Sequence, residues 1–411
     1  MSEERGEKPN ARRESGRTGF TDGVDRREFL RTVGSVGCAY GVARLVGIDD
    51  VLSASGEVEV VTALVRDDDS SDPWAVEERT TDVPARWYES VEKAIEVNEA
   101  LARTSVPGYL GSAVVPGDYD EGATVSVGVS VDASSVRDIL SGITDAISIE
   151  VEEFDDVSDI GRIDGIGEFD GGTDTSTYEP RFAEGVTNAQ IASGVACETS
   201  SSLATLAPAL YDPEEGGSYF VTASHAFDVE GTENGDRQRI ADAVRDEQLS
   251  LPTQGDESVE LGTVRFGHPV QDVALVDPVG PLSPPQSIDA PEPIPVRGQL
   301  TKYGLADVIA RGESLEKVGA MSGHTTGDVE GMEAITCFTD PFCRRGQIRW
   351  GSEMDLVDGD SGSVSYYPDP GAPDDGALIA GFNNARTWWP GQSYVWGVAA
   401  YRITAEHGYH F

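Results

Sequence analysis

Three short stretches of this sequence carry side chains that together can perform acyl transfer. The stretch "TASH" ends at His225, "QDVALVD" contains Asp272, and "DGDSGS" contains Ser361. A serine hydroxyl is a weak nucleophile until an imidazole accepts its proton, and that imidazole needs a carboxylate to fix its tautomer and stabilise its charged form. These residue types predict a nucleophile, Ser361, with His225 as general base and Asp272 as the orienting carboxylate.

The glycines around the serine suggest how the negative oxygen of a tetrahedral intermediate is stabilised. Such an oxygen needs backbone N–H donors held in place in advance. Glycine lets the chain turn through backbone conformations that other residues avoid. We therefore expect the amides of Gly359 and Ser361 to form an oxyanion hole. Ser363 belongs to the same loop but falls outside the Gly–Asp–Ser–Gly core, which makes it the weaker candidate nucleophile.

Taken singly, each motif is weak evidence. The chain has 73 acidic residues, so Asp272 competes with neighbours such as Asp277, and a Gly–Asp–Ser–Gly match arises easily by chance in a Gly- and Asp-rich chain. A histidine behind a strand can equally be a core residue satisfied by a neighbour. The order His, Asp, Ser, with gaps of 47 and 89 residues, favours a single shared site.

The remaining histidines show no spacing typical of a metal site. Protein zinc sites repeat their ligands at short, regular intervals along the chain. We therefore expect no metal site. Structural or surface positions are predicted for His268, His324, His407 and His410.

The elements that hold the reactive side chains have the pattern of short strands. The apolar run Tyr219–Val221 precedes the histidine, and the run Val273–Val276 follows the aspartate. From about residue 180 onward, such runs recur between Gly, Pro, Asn and Asp, which is typical of all-β barrels and sandwiches. The Pro-rich stretch 281–298 divides this region into two halves, between the aspartate and the serine.

The chain ahead of this region has a different texture. Two helical patterns, "PARWYESVEKAIEVNEALA" and "ASSVRDILSGI", and two alternating patterns, "ATVSVGVSVD" and "ISIEVEEF", predict a small α/β module. A Gly- and Asp-rich stretch without periodicity follows and predicts a linker. The predicted divisions are a leader (1–55), the module (56–154), the linker (155–179) and the β-rich domain (180–411). Whether the module is a removed pro-region or a permanent domain stays open.

The charge of the chain and its leader indicate where the protein works. The net charge is −43. Such a surface repels nucleic acids and anionic membranes, and it suits concentrated salt, which screens self-repulsion. The leader stretch "DRREFLR" matches the twin-arginine export pattern, and the apolar stretch behind it is too short and weak to span a membrane. We predict a secreted protein without stable membrane insertion, and we disfavour Cys38 as a lipid anchor.

Four cysteines are too few for a disulfide scaffold. Cys337 and Cys343 flank a five-residue loop and can close it by a disulfide in an oxidising compartment. Cys197 has no obvious partner in the sequence.

The order and spacing of the three reactive residues resemble those of the chymotrypsin-like serine proteases, in particular secreted bacterial members. The resemblance covers about 180–405 and includes the stretches "KVGAMSGHTTGDVEG", "ALIAGFNN" and "YVWGVAAY". It implies two six-stranded β-barrels, the first supplying the histidine and aspartate and the second the serine. It also implies a peptide or protein substrate and no cofactor. We expect a monomer.

The resemblance also assigns a candidate residue to the substrate pocket. In trypsin-like members the acid six residues before the serine, here Asp355, lies at the base of the pocket and selects Arg or Lys side chains. In so acidic a chain, chance explains an aspartate at this position equally well. Both interpretations stay open.

The sequence departs from the animal trypsins in two ways. The cysteine that follows their catalytic histidine is Ala226 here, so the disulfide around the base is missing. No cleavage site is evident that would release a hydrophobic N-terminus to pair with Asp360. A buried Asp360 therefore needs another cation, either Lys317 or an arginine.

The sequence as a whole predicts a secreted, salt-adapted serine endopeptidase. Two other functions stay open. One is a catalytically silent protease-like fold that binds peptides or proteins outside the cell. The other is a surface structural or adhesion module in which the serine motif is accidental.

Overall fold

The structure is a computed structural model. It describes residues 56–104, 106–130, 133–141, 147–153, 178–183, 191–227, 241–253, 258–337, 343–372, 376–389 and 392–411. The predicted leader, with its twin-arginine stretch and Cys38, and most of the predicted linker lie outside these residues. Within the described residues, no helix has the length and apolar character needed to cross a membrane.

The N-terminal module has the predicted mixture of helices and strands. Its elements are β1 (Glu57–Arg66), β2 (Val76–Pro84), α1 (Ala85–Arg103), β3 (Tyr109–Val115), β4 (Thr124–Val129), α2 (Ala133–Ser141) and β5 (Ser148–Glu153). Helix α1 begins behind Pro84, and it buries Trp87, Val91 and Leu101 along one face. Strands β4 and β5 pair in parallel across α2, which confirms the predicted strand–helix–strand order.

The first β-rich half forms a seven-stranded sheet. Its strands are β6 (Ala196–Glu198), β7 (Leu203–Thr205), β8 (Ala207–Asp212), β9 (Gly217–Ala223), β10 (Gln248–Pro252), β11 (Ser258–His268) and β12 (Val273–Pro278). Their order across the sheet is β7-β6-β10-β11-β12-β9-β8. The two predicted apolar runs become β9 and β12, which are antiparallel neighbours, with Ala223 opposite Val273.

The second half contains a closed ring of strands. Its elements are β13 (Ser287–Ile288), β14 (Ile294–Leu300), α3 (Lys302–Ala310), β15 (Ser314–Gly319), β16 (Gly323–Thr336), β17 (Arg344–Trp350), β18 (Val364–Pro368), β19 (Ala377–Trp389), β20 (Gln392–Ala399) and α4 (Ala400–His407). Strands β15 to β20 each pair with two others of the six and so close a barrel in the order β19-β18-β15-β16-β17-β20.

The module is joined to the second half by strand pairing. Strand β1 pairs with β14 and strand β3 pairs with β16, so module strands extend the second sheet in two places. Trp87 and Val91 of α1 share one apolar core with Leu305 of α3 and Trp350 of β17. The module therefore lacks a core of its own. The backbone N–H and C=O groups at an open strand edge form hydrogen bonds when another strand adds to that edge, which explains why the module pairs with the second half.

A second apolar core joins the two β-rich halves. Val221 and Val273 of the first sheet pack with Val364 and Phe382 of the second barrel. The strands that carry the candidate catalytic residues thus meet at the junction of the halves. The predicted mainly-β architecture in two halves behind a small α/β module is confirmed. The second half has the predicted six-stranded barrel, to which module strands add, whereas the first half is a sheet of seven strands in place of the predicted six-stranded barrel.

Candidate active site

His225 lies directly beyond the end of β9. The strand ends at Ala223, and the chain then forms a 3-10 turn, Ser224–Ala226, which takes the imidazole out of the sheet. The His225 side chain keeps 16% of its surface exposed. Its Nδ1 lies 2.6 Å from Oδ2 of Asp272, and its backbone N–H donates to Oδ1 of the same carboxylate at 2.9 Å. One carboxylate therefore fixes both the ring and the backbone of the histidine.

Asp272 stands at the start of β12, and its backbone φ of 57° lies in the left-handed region. Aspartate enters this region more readily than most residues, but at some cost in strain. The backbone N–H of Ser224 donates to the Asp272 carbonyl at 3.0 Å, which ties the turn to the strand. The pairing of β9 with β12 and this hydrogen bond together place the carboxylate next to Nδ1 of the imidazole.

The Asp272 carboxylate is buried, yet it stays charged. Burial by itself raises the pKa of this carboxyl, but the neighbouring His225 ring, the charge of Arg344 and the two hydrogen bonds from His225 together lower it by more. The net result is an Asp272 pKa below its usual value. Arg344 Nη1 lies 3.4 Å from Asp272 Oδ2. Sequence reasoning missed this arginine, since its only signal is its position directly after Cys343.

Ser361 lies in the loop ahead of β18 and is partly exposed. Its carbonyl accepts a hydrogen bond from the Thr205 N–H at 2.8 Å, and the next N–H, of Gly362, donates to the Asn383 carbonyl at 2.9 Å. A Cβ on Gly362 would lie 2.7 Å from Thr222 Oγ1 and 3.2 Å from the Ala223 nitrogen. The residue after the serine therefore contacts the end of the strand that carries His225.

The loop presents two unsatisfied amides beside the serine. Gly359 has a φ of 94°, a conformation that favours glycine, and its carbonyl turns inward to accept from Thr205 Oγ1 at 2.9 Å. Within the described part of the chain, the backbone N–H groups of Gly359 and Ser361 have no hydrogen-bond acceptor. Free amides on a fixed loop are the donors that an oxyanion needs.

Asp360 anchors the loop from below. Its Oδ1 accepts from the N–H groups of Met321 and Ser322, and its Oδ2 accepts from the Val357 N–H at 3.0 Å and from Lys317 Nζ at 3.1 Å. Asp360 and Lys317 are both fully buried. Of the two cations predicted for Asp360, the structure shows Lys317. Burial lowers the pKa of Lys317, and the charge of Asp360 opposes this.

Asp355 lies at the end of a 3-10 turn, Glu353–Asp355. Its Oδ2 accepts from both the backbone N–H and the hydroxyl of Ser352, at 2.7 and 2.8 Å. The carboxylate thus caps its own turn through one oxygen. This capping role is sufficient to explain an aspartate here, and the predicted place at the base of a substrate pocket stays a prediction.

The alternative nucleophiles are enclosed in the protein. Ser363 is fully buried and accepts from the Asn383 side-chain amide at 3.3 Å. Cys197 is a buried free thiol, and burial raises its pKa to about 12. Cys337 and Cys343 form a disulfide. Of the two serines in this loop, Ser361 is therefore the one that is partly exposed.

The other histidines are either packed against other groups or exposed on the surface. The rings of His268 and His407 lie 3.9 Å apart, and His410 Nε2 lies 2.9 Å from the Trp74 carbonyl oxygen. Burial lowers the pKa of His407 and of His410 to about 4. His324 is exposed, with Nε2 2.7 Å from a Glu316 oxygen. Over the ranges that the structure describes, no group of three metal-ligating side chains converges.

The comparisons with known proteins give a consistent but distant likeness. No protein-family model matches the chain, and no curated protein does. Among solved structures, a glutamic-acid-specific serine protease and a Nocardiopsis protease are each 16% identical, with TM-scores of 0.38, and cover 53% and 54% of this chain and 98% of their own. A Cellulomonas bogoriensis chymotrypsin is 15% identical, with a TM-score of 0.34, and covers 54% of this chain and 97% of its own. Likeness at this level shows neither activity nor substrate.

Proposed function

We propose that this protein is a serine endopeptidase that hydrolyses peptide bonds through an acyl-enzyme. The observation that carries the proposal is the Asp272 carboxylate, which binds the His225 ring at 2.6 Å and its backbone at 2.9 Å. The partly exposed Ser361 stands on a loop whose next residue, Gly362, lies against the end of β9. A histidine oriented in this way presents its Nε2 as a base, because its Nδ1 proton is held by the carboxylate. This arrangement suits proton transfer.

The reaction follows from the roles of these groups. Ser361 Oγ attacks the scissile carbonyl carbon as its proton passes to His225 Nε2, while Asp272 stabilises the imidazolium. The negative oxygen of the tetrahedral intermediate binds the amides of Gly359 and Ser361. His225 then gives its proton to the leaving amine as the C–N bond breaks. Water attacks the acyl-enzyme by the same route and releases the carboxylic acid, so the chemistry needs no cofactor.

The proposal extends to where the protein works. The net charge of −43 suits a protein in concentrated salt, and the twin-arginine stretch suits export in the folded state. The disulfide between Cys337 and Cys343 fits an oxidising compartment. We assign the protein to the extracellular space on these three features, with peptides or proteins as substrates.

Activity-based labelling tests the proposed function. The full chain, purified in about molar salt, is treated with a fluorophosphonate probe, and the adduct is located by mass spectrometry. We expect labelling at Ser361, no labelling of Ser361→Ala, and casein hydrolysis that is lost in the same variant. Ser363→Ala is the matched control and should label normally. A folded wild type that neither labels nor hydrolyses casein would instead support a silent binding module.

A further inference from the structure

Thr205 connects the separate parts of the site. It ends β7 and is fully buried. Its N–H donates to the Ser361 carbonyl at 2.8 Å, and its own carbonyl accepts from Thr222 Oγ1 at 2.9 Å. Thr222 lies on β9, three residues before His225. The backbone of Thr205 therefore stands between the nucleophile loop and the strand that carries the base.

The Thr205 hydroxyl makes a second set of bonds. It donates to the Gly359 carbonyl at 2.9 Å and accepts from the Ala320 N–H at 2.9 Å. A hydroxyl has a single proton, so donation to Gly359 uses its whole capacity as a donor. Ala320 immediately precedes Met321 and Ser322, whose amides hold Asp360. One side chain thus joins both segments that shape the oxyanion loop.

We propose that Thr205 is a positioning residue of the oxyanion hole, whose hydroxyl holds the Gly359 carbonyl and thereby fixes the backbone torsion angles of Gly359. The inference rests on the proposed function. Gly359 has no side chain that packing can hold, and its φ of 94° lies in a region that glycine enters and leaves at little cost. The direction of its N–H must therefore be set by bonds to its neighbours.

Loss of the hydroxyl has a specific consequence. The Gly359 carbonyl and the Ala320 N–H would both lose a buried partner, and an unsatisfied buried group is costly. The φ and ψ angles of Gly359 change at little cost, so the carbonyl is relieved most easily by their joint change, which also turns the Gly359 N–H away from the oxyanion. If the Thr205 hydroxyl served only as an acceptor for the Ala320 N–H, its removal would lower the stability of the protein but not its kcat. If the hydroxyl positions Gly359, its removal also weakens binding of the transition state.

The test compares three variants in about molar salt. Thr205→Val removes the hydroxyl, and Thr205→Ser keeps it. Thr404→Val is the control, because Thr404 is also fully buried, and its hydroxyl accepts from Gln299 at 2.7 Å and donates to the Ala400 carbonyl at 3.4 Å. The measurements are kcat and KM on a peptide anilide that the wild type cleaves, inhibition by a peptide trifluoromethyl ketone, and thermal unfolding.

We expect Thr205→Val to lower kcat about 10- to 100-fold, less than the loss of an oxyanion donor itself, with KM changed by less than about threefold. The affinity for the ketone, which forms an oxyanion when bound, should fall by the same factor as kcat. Thr205→Ser should stay within about threefold of the wild type. Thr404→Val should lose stability but keep its kcat.

Two results would overturn the inference. One is a folded Thr205→Val variant whose kcat and ketone affinity match those of Thr404→Val. The other is a Thr205→Ser variant as impaired as Thr205→Val. If Thr205→Val does not fold, Thr205→Cys replaces it, because a thiol fills the space but donates weakly, and an intermediate kcat is expected. A wild type that neither labels nor cleaves overturns the proposed function, and with it this role for Thr205.

Discussion

The two β-rich halves hold the proposed catalytic residues in different ways. In the first sheet, His225 follows β9 and Asp272 precedes the neighbouring strand β12. Hydrogen bonds of 2.6 and 2.9 Å join the two residues. In the second barrel, Ser361 stands on a loop fixed by buried polar groups, chiefly Lys317 and Asp360. The base is positioned by strand pairing, and the nucleophile by a polar network. Substitutions in the two halves should therefore differ in their effects on activity and stability.

The largest expected effect is the loss of kcat when either the proposed base in the first half or the proposed nucleophile in the second half is removed. His225→Ala and Ser361→Ala should each lower kcat about 10⁴- to 10⁶-fold, because neither group performs acyl transfer without the other. The double variant should be no worse than the poorer single one, as measured by steady-state kinetics on one peptide substrate. Additive losses would mean that the two residues act independently and would contradict a shared site.

The next effect distinguishes the halves. Lys317→Met leaves the Asp360 carboxylate buried without its cation, which should destabilise the protein by about 3–5 kcal/mol and abolish labelling of Ser361. Denaturant unfolding measures the first quantity and fluorophosphonate labelling the second. Lys302→Met is the matched control. Lys302 pairs with Glu92 at 3.0 Å in a half-buried site, and its loss should cost about 1 kcal/mol and leave labelling intact.

A third prediction concerns the module, which is attached to the second half by strand pairing. Trp87→Ala should cost about 3–5 kcal/mol, because Trp87 lies in the core that the module shares with the second barrel. Unfolding should remain a single transition when followed by tryptophan fluorescence and by circular dichroism. Two separate transitions would indicate an independent module, as expected of a removable pro-region, and so would a fully stable protein without residues 56–154.

Acid should weaken the protein through its buried histidines. Burial lowers the pKa of His407 and of His410 to about 4, whereas both titrate near 6.5 when unfolded. The unfolded chain then binds more protons, so stability is full above about pH 6.5 and falls as the pH drops towards 4. The loss is about 3 kcal/mol for a fully buried imidazole. Denaturant unfolding at pH 7, 5 and 4 measures this loss, and His410→Gln should make the dependence shallower.

The smallest effect is expected at Asp355. Asp355→Asn keeps one acceptor for Ser352 but loses its charge, so we expect about 0.5–1 kcal/mol of destabilisation. Because one oxygen already caps the turn, we expect less than about a threefold change in the preference for Arg or Lys substrates. A peptide library measures this preference. A change of 100-fold or more would place Asp355 in the substrate pocket.

Much of the fold follows from local patterns. The alternation in "ATVSVGVSVD" and the apolar faces of the two module helices specify β4, α1 and α2, because side-chain periodicity depends on near neighbours. The attachment of the module to β14 and β16 was not predictable. The sequence of a strand does not indicate which distant strand will pair with its edge. The sequence therefore suggested a separate module, whereas the structure has a core shared between the module and the second half.

The sequence by itself determined which residues have the chemistry: one histidine behind a strand, one aspartate ahead of another, and one serine among glycines. Only the tertiary structure decided which groups support them. Arg344 beside Asp272 and Thr205 against Gly359 belong to no motif, and the choice of Lys317 rather than an arginine as the partner of Asp360 required the fold. The physical reason is that reactivity is a property of a residue type, whereas charge pairing and hydrogen bonding in a buried site depend on distances that the folded chain alone sets.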